Sequence, residues 1–205
     1  MTHVPDDLPA RVAAAITPLH GWTTPEKGVR LAELVIETGA AVSVEIGVFG
    51  GRGTIAMALG HQALGRGYVA GIDSWSAQAS LEGSNEAAND EWWAKVDYDA
   101  VYEHCLAALL RCGVARHVRI MRERSDTALR LFADESVSVL HQDGNHSREV
   151  STAEVGMWAP KLARGGYWVA DDTDWTTTQE ALALLVEQGF TLVEDHGGWR
   201  VYRKP

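Results

Sequence analysis

A glycine-rich stretch between an apolar run and an amphipathic segment constrains the fold more than any other part of the sequence. Residues 42–46 read VSVEI, and glycines follow at positions 47, 50, 51 and 53, before a predicted helix over 54–64. A strand, a glycine turn and a helix in this order let the backbone approach a nucleotide-like ligand, because glycine has no Cβ and tolerates positive φ. The spacing E-x-G-x-x-x-G differs from G-x-G-x-x-G, which disfavours a nicotinamide dehydrogenase.

Strand-like and helix-like segments alternate along the rest of the chain. Further strands are predicted at 68–72, 118–121, 137–140 and 167–170, and helices at 6–19, 25–38, 98–111, 126–132, 148–158 and 180–188. This alternation predicts an α/β fold: a doubly wound, mostly parallel sheet with helices on both faces and a C-terminal antiparallel hairpin of residues 190–194 and 199–202. We expect one domain over 1–205, with N-terminal helices in 1–40.

Three local signals predict details of this architecture. Ser125 is expected to cap the helix over 126–132 with its hydroxyl. Thr176 and Gln179 have the spacing of a capping box for the helix over 180–188. Gly165-Gly166 predicts a turn immediately before the strand over 167–170.

Residues 76–97 have no clear period and contain the pair Trp92-Trp93. A segment this long without regular structure is often functional in a compact domain, so we interpret it as a lid or substrate-binding insertion. A surface excursion whose tryptophans pack on the domain is an equal alternative. An interface between copies of the chain would also suit the tryptophan pair, so a homo-oligomer stays open.

Composition limits the possible partners. The chain has 18 Lys and Arg against 28 Asp and Glu, a net charge of −10, which disfavours binding to nucleic acid. No apolar run approaches the roughly 20 residues of a membrane helix, so we expect no membrane partner. The N-terminal residues include acids at positions where a secretory signal needs basic residues. Two cysteines, Cys105 and Cys112, are too few to stabilise a secreted fold by disulfide bonds. We therefore expect a cytoplasmic protein.

Polar residues and one glycine lie at the carboxyl ends of the predicted strands, where ligands bind in sheets of this class. These residues are Glu45, Gly47, Asp73, Ser125, Asp143, Asp171 and Asp172. Asp73 lies 26 residues after Gly47, near the position where a nucleotide-binding unit places a carboxylate on ribose hydroxyls. A turn-forming aspartate at a strand end is the alternative.

Asp143, Asp171 and Asp172 would repel one another at one edge of the sheet unless a positive group joined them. A hard divalent cation with oxygen ligands, most simply Mg²⁺, meets that need, whereas each acid alone is a common cap or turn former. His146 follows Asp143 by three residues and has the titration range of a general base. His141 is expected to be a loop histidine that is hydrogen-bonded to backbone.

These segments resemble class I S-adenosylmethionine-dependent methyltransferases, and more narrowly the group of macrocin-type sugar O-methyltransferases and proteins labelled cephalosporin hydroxylase. The matching stretches are VEIGVFGGRGT (44–54), GIDSWS (71–76), HQDGNHSREV (141–150) and WAPKLARGGYWVADD (158–172). The sequence departs from the more distant catechol O-methyltransferases, which have a lysine in place of His146 and Asp-Asn in place of Asp171-Asp172. Relatives in its own group often have serine or threonine in place of Gly53.

The resemblance implies a role for each matched residue. Gly47 and Gly51 would line the methionine end of S-adenosylmethionine, with Glu45 helping to place it. Asp73 and Ser74 would bind the ribose, and Ser125 the adenine. Asp143 would border the cofactor and, with Asp171 and Asp172, hold Mg²⁺. His146 would be the catalytic base.

The reaction implied is Mg²⁺-dependent O-methylation of a small-molecule hydroxyl, in a sugar or another natural-product intermediate. A metal-dependent hydroxylase or hydrolase on the same scaffold is one alternative, although iron oxygenases usually use two histidines and a carboxylate. A non-catalytic cofactor-binding subunit is another, although such a module needs no base at position 146.

Overall fold

The computed structural model describes residues 3–85 and 87–205, and in them a seven-stranded sheet forms the centre of the molecule. The strands are β1 (Val42–Ile46), β2 (Tyr68–Asp73), β3 (Val118–Arg122), β4 (Val137–Gln142), β5 (Leu162–Asp171), β6 (Thr191–Asp195) and β7 (Trp199–Arg203). The helices are α1 (Leu8–Ile16), α2 (Pro25–Thr38), α3 (Arg52–Leu64), α4 (Ala77–Ser80), α5 (Ala87–Trp93), α6 (Tyr98–Arg111), α7 (Ser125–Ala128), α8 (Arg148–Trp158) and α9 (Gln179–Glu187).

The strand order is β3-β2-β1-β4-β5-β7-β6, and β1 to β5 are parallel. The chain reverses its direction across the sheet between β1 and β4, which places the turns after these two strands at the topological switch point. β7 pairs antiparallel with both β5 and β6. The predicted α/β fold with a C-terminal antiparallel hairpin is confirmed, with the second hairpin strand inserted next to β5.

Apolar side chains cover both faces of the sheet. On one face, residues of α1, α2 and α3 such as Val12, Leu31 and Ile55 pack against Val139 and Val169 of the strands. On the other face, residues of α8 and α9 pack against the alternate positions of the same strands. Since strand side chains alternate between faces, every second residue of β1, β4 and β5 points towards α2 and α3.

Helix ends follow the local chemistry where a capping residue is present. The Thr24 hydroxyl accepts a hydrogen bond from the Lys27 amide (3.2 Å), and α2 ends at Gly39 with a φ of 60°. The Asp97 carboxylate accepts from the Ala100 amide (3.0 Å) at the start of α6. The predicted limits of both helices are confirmed.

Three of the predicted details are wrong. Ser125 lies inside α7, which gives way to a 3₁₀ turn after one turn of helix, and its hydroxyl donates to Glu154. The Gln179 side chain donates to the carbonyls of Thr173 and Trp175, so it forms no capping box. Gly165 and Gly166 lie within β5, where the pairing with β4 shifts register and the extra residues bulge from the ladder.

The segment over 76–97 contains α4 and α5 and is tied to the domain by side chains, with Glu86 outside the described residues. The Asn145 amide donates to the carbonyls of Ala79 (2.8 Å) and Glu82 (2.9 Å). Cys105 and Cys112 are both free thiols. No helix among the described residues is long and apolar enough to span a bilayer.

Candidate active site

The turns after β1 and β4 pack directly on each other at the switch point. The Gly47 amide donates to the Ile72 carbonyl (2.9 Å), and the Asp143 amide donates to the Ile46 carbonyl (2.8 Å). Gly47 has a φ of 86°, and a Cβ there would clash with the Asp143 carbonyl. Only glycine fits this position without strain.

Asp73 fixes the loop after β1 from the end of β2. One carboxylate oxygen accepts from the amides of Val48 (3.0 Å) and Phe49 (2.9 Å), and the other accepts from the Trp75 amide (2.7 Å). Burial raises the pKa of the Asp73 carboxyl, although these three hydrogen bonds oppose the shift. Phe49 and Trp75 both have left-handed backbone conformations, with φ of 47° and 43°, which are uncommon away from functional sites for large side chains.

A first cavity runs along this edge from the β1 loop towards α7. Its lining includes Gly47, Ile72, Asp73, Ser74, Glu123, Ser125, Asp143, Asn145 and Glu154. Gly51 is absent from the lining of this cavity; it begins α3 with a φ of 92° and faces the sulfur of Cys105. Five of the predicted cofactor residues therefore share one cavity, whereas Gly51 lies outside its lining, at the start of α3.

Glu154 is a buried acid at the far end of the first cavity. Its carboxylate accepts from the Ser125 hydroxyl (2.7 Å) and from the Gln142 amide (3.0 Å). Burial raises the pKa of Glu154 to about 7 against these two hydrogen bonds. Ser125 is thus held at the cavity wall by a partner that the sequence prediction did not include.

A cluster of charged groups lies beside the first cavity, on the face of the sheet that α2 and α3 cover. Glu45 is buried and accepts from the Thr54 hydroxyl. His141 Nδ1 lies 2.9 Å from the other Glu45 oxygen. His141 is on β4 and fully buried, and it contacts a carboxylate, so the expectation of a loop histidine bonded to backbone is wrong.

Lys27 of α2 reaches into this cluster. Its ammonium pairs with the Asp171 carboxylate and lies 3.9 Å from Asp143 Oδ2, and the residue is 4 % exposed. Burial alone lowers the pKa of Lys27, but the charges of Asp143 and Asp171 outweigh it and raise the pKa. Burial and the neighbouring charge of Asp171 raise the pKa of Asp143 well above its usual range, while Lys27 holds the pKa of Asp171 low against burial.

His146 lies where the charged cluster meets the first cavity. Its Nε2 is 3.1 Å from Asp172 Oδ2 and 3.8 Å from Asp143 Oδ1, and its ring lies 5.5 Å from the Trp175 ring. Burial lowers the pKa of His146 although the charges of Asp172 and Asp171 oppose it. The imidazole is therefore disposed to be neutral, which a proton acceptor requires.

The predicted metal residues are brought together only in part. The ligand atoms of His141, Asp143 and Asp171 all lie within 4.8 Å of one another. The Asp172 carboxylate instead contacts His146, and its backbone has a φ of 48°. Two of the three predicted carboxylates therefore share one candidate cation site, with a histidine as the third group.

A second cavity of about 390 Å³ opens next to the charged cluster. Its lining includes an aromatic group, defined here as Trp22, Phe49, Trp92 and Trp93. The ring centroids lie 5.3 Å apart for Trp22 and Phe49, 5.0 Å for Trp22 and Trp92, and 4.7 Å for Trp92 and Trp93. The tryptophans of the 76–97 segment thus line a cavity.

The two cavities share part of their walls. The shared residues are Gly47, Phe49, Asn89, Trp93, Asp143 and His146. A ligand in either cavity would therefore lie next to His146.

Lys27, His141 and Glu154 were not identified as site residues from the sequence, although each interrupts an apolar pattern. Lys27 shares the buried face of α2 with Leu31 and Val35 at four-residue spacing. Glu154 lies on the buried face of α8. A charged residue at a position that periodicity assigns to the core needs a buried partner, and this is the signal that could have found them.

A family model described as a methyltransferase domain matches residues 44–173, which is more than half of the chain. The chain belongs to this methyltransferase family. The matched part includes the β1 loop, Asp73, His146 and Asp171. No curated protein sequence matches the chain.

Solved structures show the same fold at low sequence identity. The O-methyltransferase NovP has a TM-score of 0.69 at 17 % identity, over 87 % of this chain and 78 % of that one. Cofactor-bound Rv0187 from MTB has a TM-score of 0.62 at 20 % identity, over 97 % and 88 % of the two chains. The O-methyltransferase from Bacillus cereus, in complex with SAH, has a TM-score of 0.61 at 18 % identity, over 98 % and 92 %.

Proposed function

We propose that this protein transfers the methyl group of S-adenosylmethionine to a hydroxyl of a small molecule. The observation that carries the proposal is the meeting of two cavities at Gly47, Asp143 and His146. Methyl transfer needs a donor and an acceptor in line with a base beside the attacking oxygen, and two cavities that join at a histidine provide this arrangement. Membership of the methyltransferase family and the O-methyltransferases of the same fold support it.

The first cavity is the proposed donor site. The methionine end would lie along the glycine loop at Gly47, and the ribose hydroxyls would bond to Asp73 next to Ser74. Adenine would reach Ser125, whose hydroxyl is held by Glu154 (2.7 Å). Because the Asp73 carboxylate also holds the backbone of the β1 loop, ribose binding and loop geometry would depend on the same side chain.

The second cavity is the proposed acceptor site. Its indole rings offer flat apolar surfaces, and its floor carries carboxylates. A ring with adjacent hydroxyls suits both, because the ring face can pack on tryptophan while the oxygens face the charged cluster. A sugar or another hydroxylated part of a natural product has this chemistry.

His141, Asp143 and Asp171 fit a divalent cation, because His141 Nε2 is buried there beside two carboxylates and has no hydrogen-bond partner among the described residues. Such a cation, Mg²⁺ or another, would lower the pKa of an acceptor hydroxyl. Asp172, which lies 3.1 Å from His146 Nε2, orients the imidazole and stabilises its charged form, and the hydroxyl proton goes to Nδ1, the nitrogen that Asp172 leaves free. The acceptor oxygen forms a bond to the methyl carbon as the carbon–sulfur bond breaks, which leaves S-adenosylhomocysteine.

The test pairs calorimetry with a turnover assay. S-adenosylmethionine and S-adenosylhomocysteine should bind one per chain, whereas NAD should give no heat. Transfer of a labelled methyl group to sugars and aromatic diols should fall about 10²–10⁴-fold in His146→Gln, with cofactor affinity unchanged. His104→Gln, an exposed histidine outside both cavities, serves as the control. Full turnover in His146→Gln would refute the assignment of His146 as the base. Absence of cofactor binding would overturn the proposal as a whole.

A further inference from the structure

We propose that His141 is a direct nitrogen ligand of the cation, so that the site selects a divalent transition metal over Mg²⁺. The inference rests on the cation site of the proposed function and adds the class of metal that it takes. It is carried by the buried, unpartnered Nε2 atom of His141 and by the hydrogen bond on the other side of its ring.

The sheet brings the three ligands to one point. His141 and Asp143 are two residues apart along β4 and its end, so their side chains leave the same face. His141 pairs with Val169 in the parallel register of β4 and β5, and Asp171 lies two residues beyond Val169. The carboxylates therefore extend just past the imidazole, and Asp143 Oδ2 lies 3.9 Å from His141 Nε2.

Glu45 determines which imidazole nitrogen faces the site. His141 Nδ1 lies 2.9 Å from Glu45 Oε1, and the other Glu45 oxygen accepts from the Thr54 hydroxyl. Because a carboxylate accepts a proton at Nδ1, the lone pair of the neutral ring is at Nε2, which points towards Asp143. A carboxylate or carbonyl behind the ring is the usual support of a metal-bound histidine.

No hydrogen-bond donor reaches Nε2 within the described residues, and His141 is fully buried. A buried acceptor without a partner is destabilising, so the position favours occupation by an electrophile. Lys27 pairs with Asp171, and its ammonium lies 3.9 Å from Asp143 Oδ2, the oxygen nearest His141 Nε2. One ammonium therefore faces two carboxylates, which leaves negative charge for a cation to balance.

The donor set decides between metals. Mg²⁺ binds oxygen atoms in nearly ideal octahedral geometry, whereas imidazole nitrogen suits iron, cobalt, nickel, copper and zinc. One histidine and two carboxylates therefore favour a transition metal. The histidine also distinguishes this site from a site formed by carboxylates alone, in which no nitrogen atom would bind the metal.

The nitrogen can be observed directly. Electron spin-echo spectroscopy of the Mn²⁺-loaded protein should show coupling to ¹⁴N, and His141→Phe should abolish it. His146→Gln is the matched control, because it removes the neighbouring imidazole and should keep the coupling. Co²⁺ titrated into the metal-free protein should bind at least tenfold more tightly than Mg²⁺, and His141→Phe should reduce that preference about tenfold or more.

The possible outcomes separate this inference from the proposed function. An oxygen-only spectrum in the unmodified protein overturns the inference, and so does a nitrogen coupling that is lost in His146→Gln. Both readings use only variants that retain His141, so they decide the question even if His141→Phe fails to fold. Cofactor binding is measured in the same samples, and its loss with the nitrogen coupling intact would count against the donor site alone.

Discussion

Replacing Lys27 by methionine tests whether the charged cluster is as buried as the structure shows. Methionine keeps most of the apolar stem and removes the ammonium, which leaves the Asp171 carboxylate without its partner. The side chains of Lys27 and Asp171 are 5 % and 10 % exposed, so water replaces little of the lost charge. Removing one partner of a buried ion pair costs about 3–5 kcal/mol.

For a domain of this size, that loss corresponds to a fall in Tm of roughly 6–20 °C. Thermal and urea unfolding of the metal-free protein measure it, and saturating divalent cation should reduce the loss by restoring positive charge. Lys95→Met is the control, since Lys95 is 70 % exposed in its pair with Glu91 and should contribute less than about 0.5 kcal/mol. Equal stability of the two variants would refute the buried ion pair.

Three further predictions concern the loop, pH and packing. Asp73→Asn leaves at least one backbone amide unpaired, so calorimetry should show S-adenosylhomocysteine binding weakened at least tenfold, or about 1.4 kcal/mol, and an unchanged affinity would contradict this. Burial lowers the pKa of His61 from 6.5 to about 4, so the unfolded chain takes up a proton at a higher pH than the folded protein does. As the pH falls from 6.5 to 4, the free energy of unfolding should therefore fall by up to roughly 3 kcal/mol, and His61→Asn should remove this pH dependence. Gly53→Ala places a Cβ against Glu45 and should destabilise the protein by about 1–3 kcal/mol. The control is Gly156→Ala, in open space on α8, which should stabilise the protein by up to about 1 kcal/mol. Equal effects of the two substitutions in urea unfolding would show that the contact between Gly53 and Glu45 is not tight.

The elements of the fold were predictable from the sequence where local chemistry determines them. Thr24, Pro25 and Gly39 set the ends of α2, and Asp97 sets the start of α6. The prediction failed where side chains contact distant residues. Ser125 has the right chemistry for a cap, but the buried Glu154 takes its hydroxyl, and no local pattern reveals a partner 29 residues away.

The site was predictable as an edge of the sheet but not as a set of contacts. Strand ends identify Gly47, Asp73 and Asp143, because parallel strands bring these ends together. The turn after β5 determines which acid faces His146. Asp172 takes a left-handed conformation there, and this conformation is not predictable from the sequence. Lys27 enters from a helix that precedes the sheet, so its pairing with Asp171 follows only from tertiary packing.

A crystal structure with S-adenosylhomocysteine and Mn²⁺ bound tests the central claim most directly. We predict the ligand in the first cavity, with its ribose at Asp73 and its sulfur at the junction beside His146, open to the second cavity. An anomalous peak from Mn²⁺ is expected among His141, Asp143 and Asp171. A ligand bound elsewhere, or a sulfur atom directed away from the second cavity, would contradict the account.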